Sequence, residues 1–390
     1  MNVKLPSKAT VEQVGILALF WLLTVTSLSW LTAVVPGKSG WDFGIYLTAY
    51  AKAAAGRDPY LPFHIGSGFL NHPFLLSVAA PFAWLPDSTG RVLAWATAVF
   101  LAWIGAILAM LRLAAHVYGP LSRRRQGFIL LLFLGFAPIV EALYVGQISP
   151  VVALLLCLCL LLAVEGREAL SGLSLALAIL FKTSPVLLLV YFTAIRRWRV
   201  VVSTAVSLFV LSGVSAVQFS PHSLADFAAI LPRLGLQMHA SPFNLSGASL
   251  VSRALIDLNW QNLLLPLRQA HILLVLAATL FLFRIGLRLS PHFDQQHFWL
   301  FAAFLALMVA ASPLVWYHHL LFLLLPLAGL VLHPSRVVAA SGLGLTLLIQ
   351  LERPFDAAVG MIALPVLLAQ AAVLGASLTL CISKGQANGK

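Results

Sequence analysis

What this chain can fold into is limited most by its apolar runs, which recur at close to the length of a membrane-crossing helix. Such a helix needs about 20 predominantly apolar residues, at a rise of about 1.5 Å each. Runs of this kind fall near residues 13–35, 91–113, 127–144, 149–164, 200–219, 267–287, 296–312, 317–332, 337–351 and 357–380, with the charges gathered between them. Of the 390 residues 61% are hydrophobic and only 9% are charged, against roughly a quarter charged in a soluble domain. A soluble fold of this composition would lack the charged exterior that keeps it dissolved. The chain therefore reads as an all-α, polytopic integral membrane protein, and disorder, collagen and disulfide scaffolds are excluded.

The first run follows Lys4 and Lys8 as the core of a signal peptide would. It is longer than the roughly 7–15 residues of a secretory signal, so it reads as a retained anchor. The stretch 169–195 is less regular. It lies between Glu165-Gly-Arg-Glu168 and Arg196-Arg-Trp-Arg199 and is interrupted by Lys182-Thr-Ser-Pro185. A single crossing would carry Arg196, Arg197 and Arg199 to the outer side, against the tendency of basic residues to stay in the cytoplasm. Two short helices, 169–181 rising and 185–195 returning, keep both flanks inside. The total becomes about twelve transmembrane or re-entrant helices in one domain, residues 1–390, with both termini cytoplasmic.

The formal charge of +12 is then a topology signal. Under this arrangement the inner side holds fifteen basic and four acidic residues and the outer side eight of each, with Lys182 standing apart. Nucleic-acid binding loses its motivation. The long non-spanning segments, about 36–90 and 220–266, both fall outside, where long ordered loops tend to carry function. Cys157, Cys159 and Cys381 lie within or at the end of apolar runs and read as small hydrophobes, with no redox or zinc role.

Polar residues gather on the expected outer side. Asp42 opens Trp41-Asp-Phe-Gly-Ile-Tyr46, ahead of an Ala-rich stretch, 47–55, that reads as a short interfacial helix. On local spacing Asp42 is either a helix cap or loop acid, or a carboxylate set at the interface for chemistry. Asp58 precedes Pro59 and fits a turn. His72, in Asn71-His72-Pro73, either marks a loop or faces a ligand. At Gly146-Gln147-Ile-Ser149-Pro150, Ser149 is placed to cap the helix that Pro150 begins; the piece is either a structural turn or a site where Gln147 faces the compartment of Asp42. Glu141, one turn earlier, is a functional acid or one that reaches the interface. Asn244 and Arg253 lie in the second outer segment, as surface residues or as ligand contacts.

Lys182 constrains the reading most, since an ionisable group inside an apolar stretch costs on the order of 2.5–3.5 kcal/mol even on lenient insertion scales. Ser184 and Pro185 look like the cap and first residue of the returning helix, which would put backbone N–H groups beside the ammonium. That is an arrangement for an anion such as phosphate; the plainer alternative is a lysine that snorkels to headgroups. Ser312-Pro-Leu-Val-Trp316-Tyr-His318-His319 breaks two apolar runs. Its adjacent histidines diverge by about 100° on a helix and lack a third ligand, so they suit hydrogen bonding to a phosphate or sugar, or interfacial packing, better than a metal.

Taken in order, Trp41 to Tyr46, Gly56-Arg-Asp-Pro-Tyr60, Gly146-Gln147, Phe181-Lys-Thr-Ser-Pro185 with Arg196 to Arg199, and Ser312 to His319 resemble glycosyltransferase family 87 over about residues 40–335. The resemblance implies a polytopic enzyme of the GT-C class in the bacterial inner membrane. Such an enzyme takes a sugar, commonly mannose, from a polyprenyl-phosphate carrier and passes it to a lipid- or glycan-linked acceptor on the outer face. It implies Asp42 as catalytic base and Lys182, His318 and His319 as contacts of the carrier phosphate or sugar, with Gln147 and Arg253 on the donor side. Tyr46, Asp58, His72 and Asn244 are then acceptor or loop contacts. This sequence departs from the family's pattern at Asn71-His72-Pro73, where Tyr-Pro-Pro is usual, and at Thr183-Ser-Pro185, where Leu-Thr-Pro is commoner.

The expected chemistry is an inverting displacement without a metal, because no acidic cluster of the kind that holds Mg²⁺ is present. A flippase or transporter is the alternative, since a broken helix pair with a buried lysine suits one as well. Against it stand the absence of a clear repeat between the halves and the gathering of polar residues at one face. A non-catalytic scaffold would leave that gathering unexplained.

Overall fold

The structure, a computed structural model, describes residues 40–61, 68–237, 244–290, 292–350 and 363–387. Among these it is all-helical, with no strand. The expected first span, 13–35, lies outside the described residues, as does the start of the last. The helices are α1 (Trp41–Ala54), α2 (Phe74–Ala83), α3 (Ser88–Tyr118), α4 (Arg123–Leu134), α5 (Ala137–Val145), α6 (Ser149–Val164), α7 (Glu168–Phe181), α8 (Leu187–Ala194) and α9 (Trp198–Phe219). There follow α10 (His222–Gln237), α11 (Gly247–Asp257), α12 (Leu264–Gly286), α13 (Gln295–Ala311), α14 (Leu324–Leu332), α15 (Arg336–Gln350) and α16 (Ala363–Ala387). Short 3₁₀ turns, Ser184–Val186, Gln261–Leu263 and Tyr317–Leu323, lead into α8, α12 and α14.

Local chemistry explains several boundaries. Asp87 starts α3 by accepting from the N–H groups of Thr89 (3.3 Å) and Gly90 (2.7 Å), and Gly119, at φ +81, ends it. Asp294 and His297 form a reciprocal capping pair at the start of α13. That helix is apolar on every side and buried from His297 to Val309, as expected of a helix at the centre of a bundle.

The run expected as one span at 127–144 is instead broken between α4 and α5, which meet at a bend of 45°. The break frees backbone groups in apolar surroundings, where each needs a partner. Gln350, buried at the end of α15, supplies both: its amide nitrogen donates to the Gly135 carbonyl (2.9 Å), and its oxygen accepts from the Ala137 N–H (2.6 Å). The 36–90 and 220–266 segments contain helices of their own, α1 and α2 in the first and α10 and α11 in the second.

Among the described residues three stretches are long and apolar enough to cross a membrane alone: α3, α9, and Gln261–Gly286, which joins a 3₁₀ turn to α12. The bent α4–α5 pair makes a fourth if counted as one span. Shorter apolar helices of 10–17 residues, counted with their leading 3₁₀ turns, include α6, α7 and Ser184–Ala194, close to the expected boundaries.

Charges divide the bundle into two ends. Arg112 of α3 pairs with Glu165 at the end of α6 (2.7 Å), and Glu168 at the start of α7 pairs with Arg197 ahead of α9 (2.9 Å). The opposite ends of α6 and α7 carry Gln147 and Lys182, and there the site is built.

Candidate functional site

Asp42 sits in the first turn of α1, where a carboxylate is favoured by the helix dipole; it lies within the helix, not in a loop before it. The start of α1 is held against the α5–α6 junction by backbone. The Gly40 N–H donates to the Tyr144 carbonyl at 2.7 Å, and Gly146 adopts φ +77, a left-handed conformation open to glycine. A Cβ at Gly146 would stand 2.8 Å from the Cβ of Phe43, so the junction admits α1 only because that side chain is missing. The Trp95 indole N–H fixes the Gly146 carbonyl at 2.8 Å. Gln147 is thereby turned onto Asp42: its amide donates to Asp42 Oδ2 at 2.8 Å, while its oxygen accepts from the Tyr46 hydroxyl at 3.3 Å.

Ser149 is the first residue of α6, not its cap, and its buried hydroxyl has no hydrogen-bond partner among the described residues. Nor is Ser184 a cap. It opens the 3₁₀ turn after Lys182, and the residue before it, Thr183, makes no side-chain capping bond.

Lys182 lies in extended backbone at the end of α7, and its ammonium is 2.6 Å from Nε2 of His319. On the far side of the ring, Nδ1 lies 3.2 Å from both the Leu314 carbonyl and the Trp316 backbone nitrogen, so the 314–316 backbone holds the imidazole in place. The strand-like segment before the histidines is fixed by Asn244, which is fully buried. Its amide donates to the Pro313 carbonyl (2.8 Å), and its oxygen accepts from the N–H groups of Val315 (3.0 Å) and Ser246 (3.1 Å). Asn244 thus acts on the histidines through the backbone.

His318 turns the other way, its Nδ1 3.1 Å from Oε2 of Glu141 on α5, both side chains being buried. The two histidine rings meet edge to face, with centroids 4.7 Å apart. The Lys182 ammonium is close enough to act electrostatically on both Asp42 and Glu141. Five groups from four separate parts of the chain therefore share one end of the bundle: two carboxylates, an ammonium and two imidazoles. Glu141 is the one the motif reading did not assign to the site. Its signal was a carboxylate inside an apolar run, a position that calls for a partner.

The remaining residues hold the framework. Asp58 accepts from the Tyr60 N–H at 2.7 Å, closing a turn. The Tyr60 hydroxyl donates to the Asn71 carbonyl (2.9 Å), and the Asn71 amide donates to the carbonyl of Phe181 (2.8 Å), next to Lys182. Burial, with Asp58 and Asp226 nearby, pushes the Tyr60 phenol up. His72 accepts from the Phe74 N–H at Nδ1 (3.1 Å), so its Nε2–H faces Ser212 of α9 at 3.2 Å, and burial pushes it down to about 4. Arg253 lies on α11 one turn before Asp257, whose charge acts on it. Among the described residues no group of three or more His, Cys, Asp or Glu is arranged to hold a metal ion.

The family model for glycosyltransferase family 87 matches residues 69–315. The matched stretch includes Glu141, Gln147, Lys182 and Asn244; Asp42 precedes it, and His318 and His319 follow it closely. No curated protein matches the chain.

Proposed function

The chain belongs to glycosyltransferase family 87, and we propose that it is an inverting enzyme moving a sugar, mannose foremost, from a polyprenyl phosphate to a lipid- or glycan-linked acceptor. The reaction is placed at the outer face of a bacterial inner membrane, with both termini cytoplasmic and about twelve helices in a GT-C type arrangement. The observation that carries this reading is the pairing, at one end of the bundle, of a carboxylate held by Gln147 with an ammonium held by His319. The first suits a hydroxyl that must lose a proton, the second a phosphate that must leave.

In this mechanism the acceptor hydroxyl attacks the anomeric carbon while Asp42 takes its proton. The bond between that carbon and the phosphate oxygen breaks, and the electron pair departs with the polyprenyl phosphate toward Lys182. Attack opposite the leaving group inverts the centre. General-base help of this kind contributes about 10²–10⁴ in rate, and stabilising a departing anion by preorganised charge contributes about as much. No divalent ion is needed to draw in an ester phosphate already tethered to the bilayer, so activity is expected to survive EDTA.

The test is sugar transfer by purified protein in lipid, from radiolabelled polyprenyl-phosphate mannose to a mixed membrane-lipid acceptor fraction, compared with Asp42→Asn. Transfer lost in the variant, with donor still bound, supports both enzyme and base. Absence of transfer from any polyprenyl-phosphate sugar, together with movement of donor across the bilayer, would replace this reading with a flippase.

A further inference from the structure

His318 has a second ring nitrogen, Nε2, that is buried and has no hydrogen-bond partner among the described residues. A buried polar atom left open in an otherwise paired cluster costs free energy and calls for an explanation. Its state follows from its neighbours. As a carboxylate Glu141 accepts only, and the nitrogen facing it, Nδ1 at 3.1 Å, then carries the proton. Protonating Nε2 as well would place an imidazolium beside the Lys182 ammonium, which already touches the neighbouring histidine at 2.6 Å. The two like charges would oppose each other, so Nε2 presents a lone pair.

A lone pair cannot bind a phosphate, whose oxygens have no proton to give, but it accepts from a hydroxyl. The adjacent histidines therefore divide the substrate. His319 belongs with Lys182 and the phosphate, and His318 with Glu141 and a hydroxyl. We propose that Glu141 is a positioning residue that holds His318 as a hydrogen-bond acceptor for a hydroxyl of the transferred sugar. It does so by fixing the tautomer, as a carboxylate behind an imidazole commonly does. The identity of the ligand rests on the transferase reading above; the tautomer does not.

The experiment therefore has two arms. Nitrogen-15 NMR of histidine-labelled protein in lipid nanodiscs, with His318→Phe to assign the signal, reads the tautomer directly. The expected result is Nδ1–H in the wild type and in Glu141→Gln, whose amide oxygen still accepts, with a shift toward Nε2–H in Glu141→Leu. Nε2–H in the wild type, or no change in Glu141→Leu, overturns the proposal whether or not the protein transfers sugar.

In the second arm Glu141→Leu and His318→Phe each raise KM for polyprenyl-phosphate mannose about tenfold, the weight of one hydrogen bond. Inhibition by sugar-free polyprenyl phosphate stays at the wild-type level, and Glu141→Gln recovers most of the loss. Equal loss of inhibition by the sugar-free lipid would assign the pair to the phosphate and overturn the proposal. His318→Phe decides this arm alone if Glu141→Leu does not fold.

Discussion

The amide of Gln147, at the junction of α5 and α6, donates to Oδ2 of Asp42 at 2.8 Å, tying the first turn of α1 to a segment about a hundred residues further along the chain. A hydrogen bond to a charged acceptor is worth about 1.5–3 kcal/mol, enough to keep one carboxylate rotamer in place. Gln147→Leu is expected to lower kcat for sugar transfer by roughly tenfold to a hundredfold, with KM for the donor little changed. Steady-state kinetics in nanodiscs check this. A rise in KM at constant kcat would assign Gln147 to donor binding instead.

Gly146 makes that contact possible. Gly146→Ala adds a Cβ 2.8 Å from Phe43 Cβ at a φ of +77, and so pushes α1 off the junction. The expected cost is about 1–3 kcal/mol, with loss of transfer out of proportion to it, because Asp42 moves. Gly56→Ala is the control. Its φ of +68 brings the same backbone strain, with nothing among the described residues within 4 Å of the added atom. Thermal unfolding in detergent alongside transfer assays separates strain from displacement. Equal effects of the two substitutions on activity would refute the packing argument.

The contrast between these helices and their contacts shows what the sequence could reveal. Apolar run length and flanking charge are local quantities, so α6 at Ser149–Val164 and α7 at Glu168–Phe181 fall almost where the runs at 149–164 and 169–181 put them. The bend between α4 and α5 is local only in part. Gly135 and Pro138 mark a place where a helix can break, but run length alone passes over them, and the freed backbone groups are satisfied by Gln350 from the far end of the chain. In the same way Asp42, Lys182 and His319 could be singled out as polar residues in costly places. That Glu141 belongs with His318, and that Asn244 acts through the 313–315 backbone, depends on contacts between segments with no common pattern.

Asn244 should therefore matter without touching substrate. Asn244→Ala removes its bonds to Pro313, Val315 and Ser246 and leaves buried backbone groups unpaired, at about 1–3 kcal/mol for each group so stranded. The expected outcome is a lowered thermal midpoint, with a fall in kcat as the Leu314 carbonyl that orients His319 loses its place. Asn244→Asp keeps the acceptor to Val315 and Ser246 but not the donor to Pro313, and should fall between. If Asn244→Ala were as stable and active as the wild type, the clamp would have no role.

His72 carries a pH dependence of stability distinct from the chemistry. Burial pushes it down to about 4 in the folded protein, against about 6.5 in an unfolded chain. Folding thus keeps the ring neutral, accepting from Phe74 and donating to Ser212. Between these two values the unfolded state binds the proton more tightly than the native one. Stability therefore falls as pH drops from about 6.5 toward 4 and levels off below, and this contribution is complete above the unfolded value. The check is the thermal midpoint of purified protein in detergent at pH 7.5, 6 and 5, for wild type and His72→Gln. The variant, with nothing to protonate there, is expected to lose less of its midpoint between pH 7.5 and 5 than the wild type. Parallel slopes would mean that other groups set the acid sensitivity.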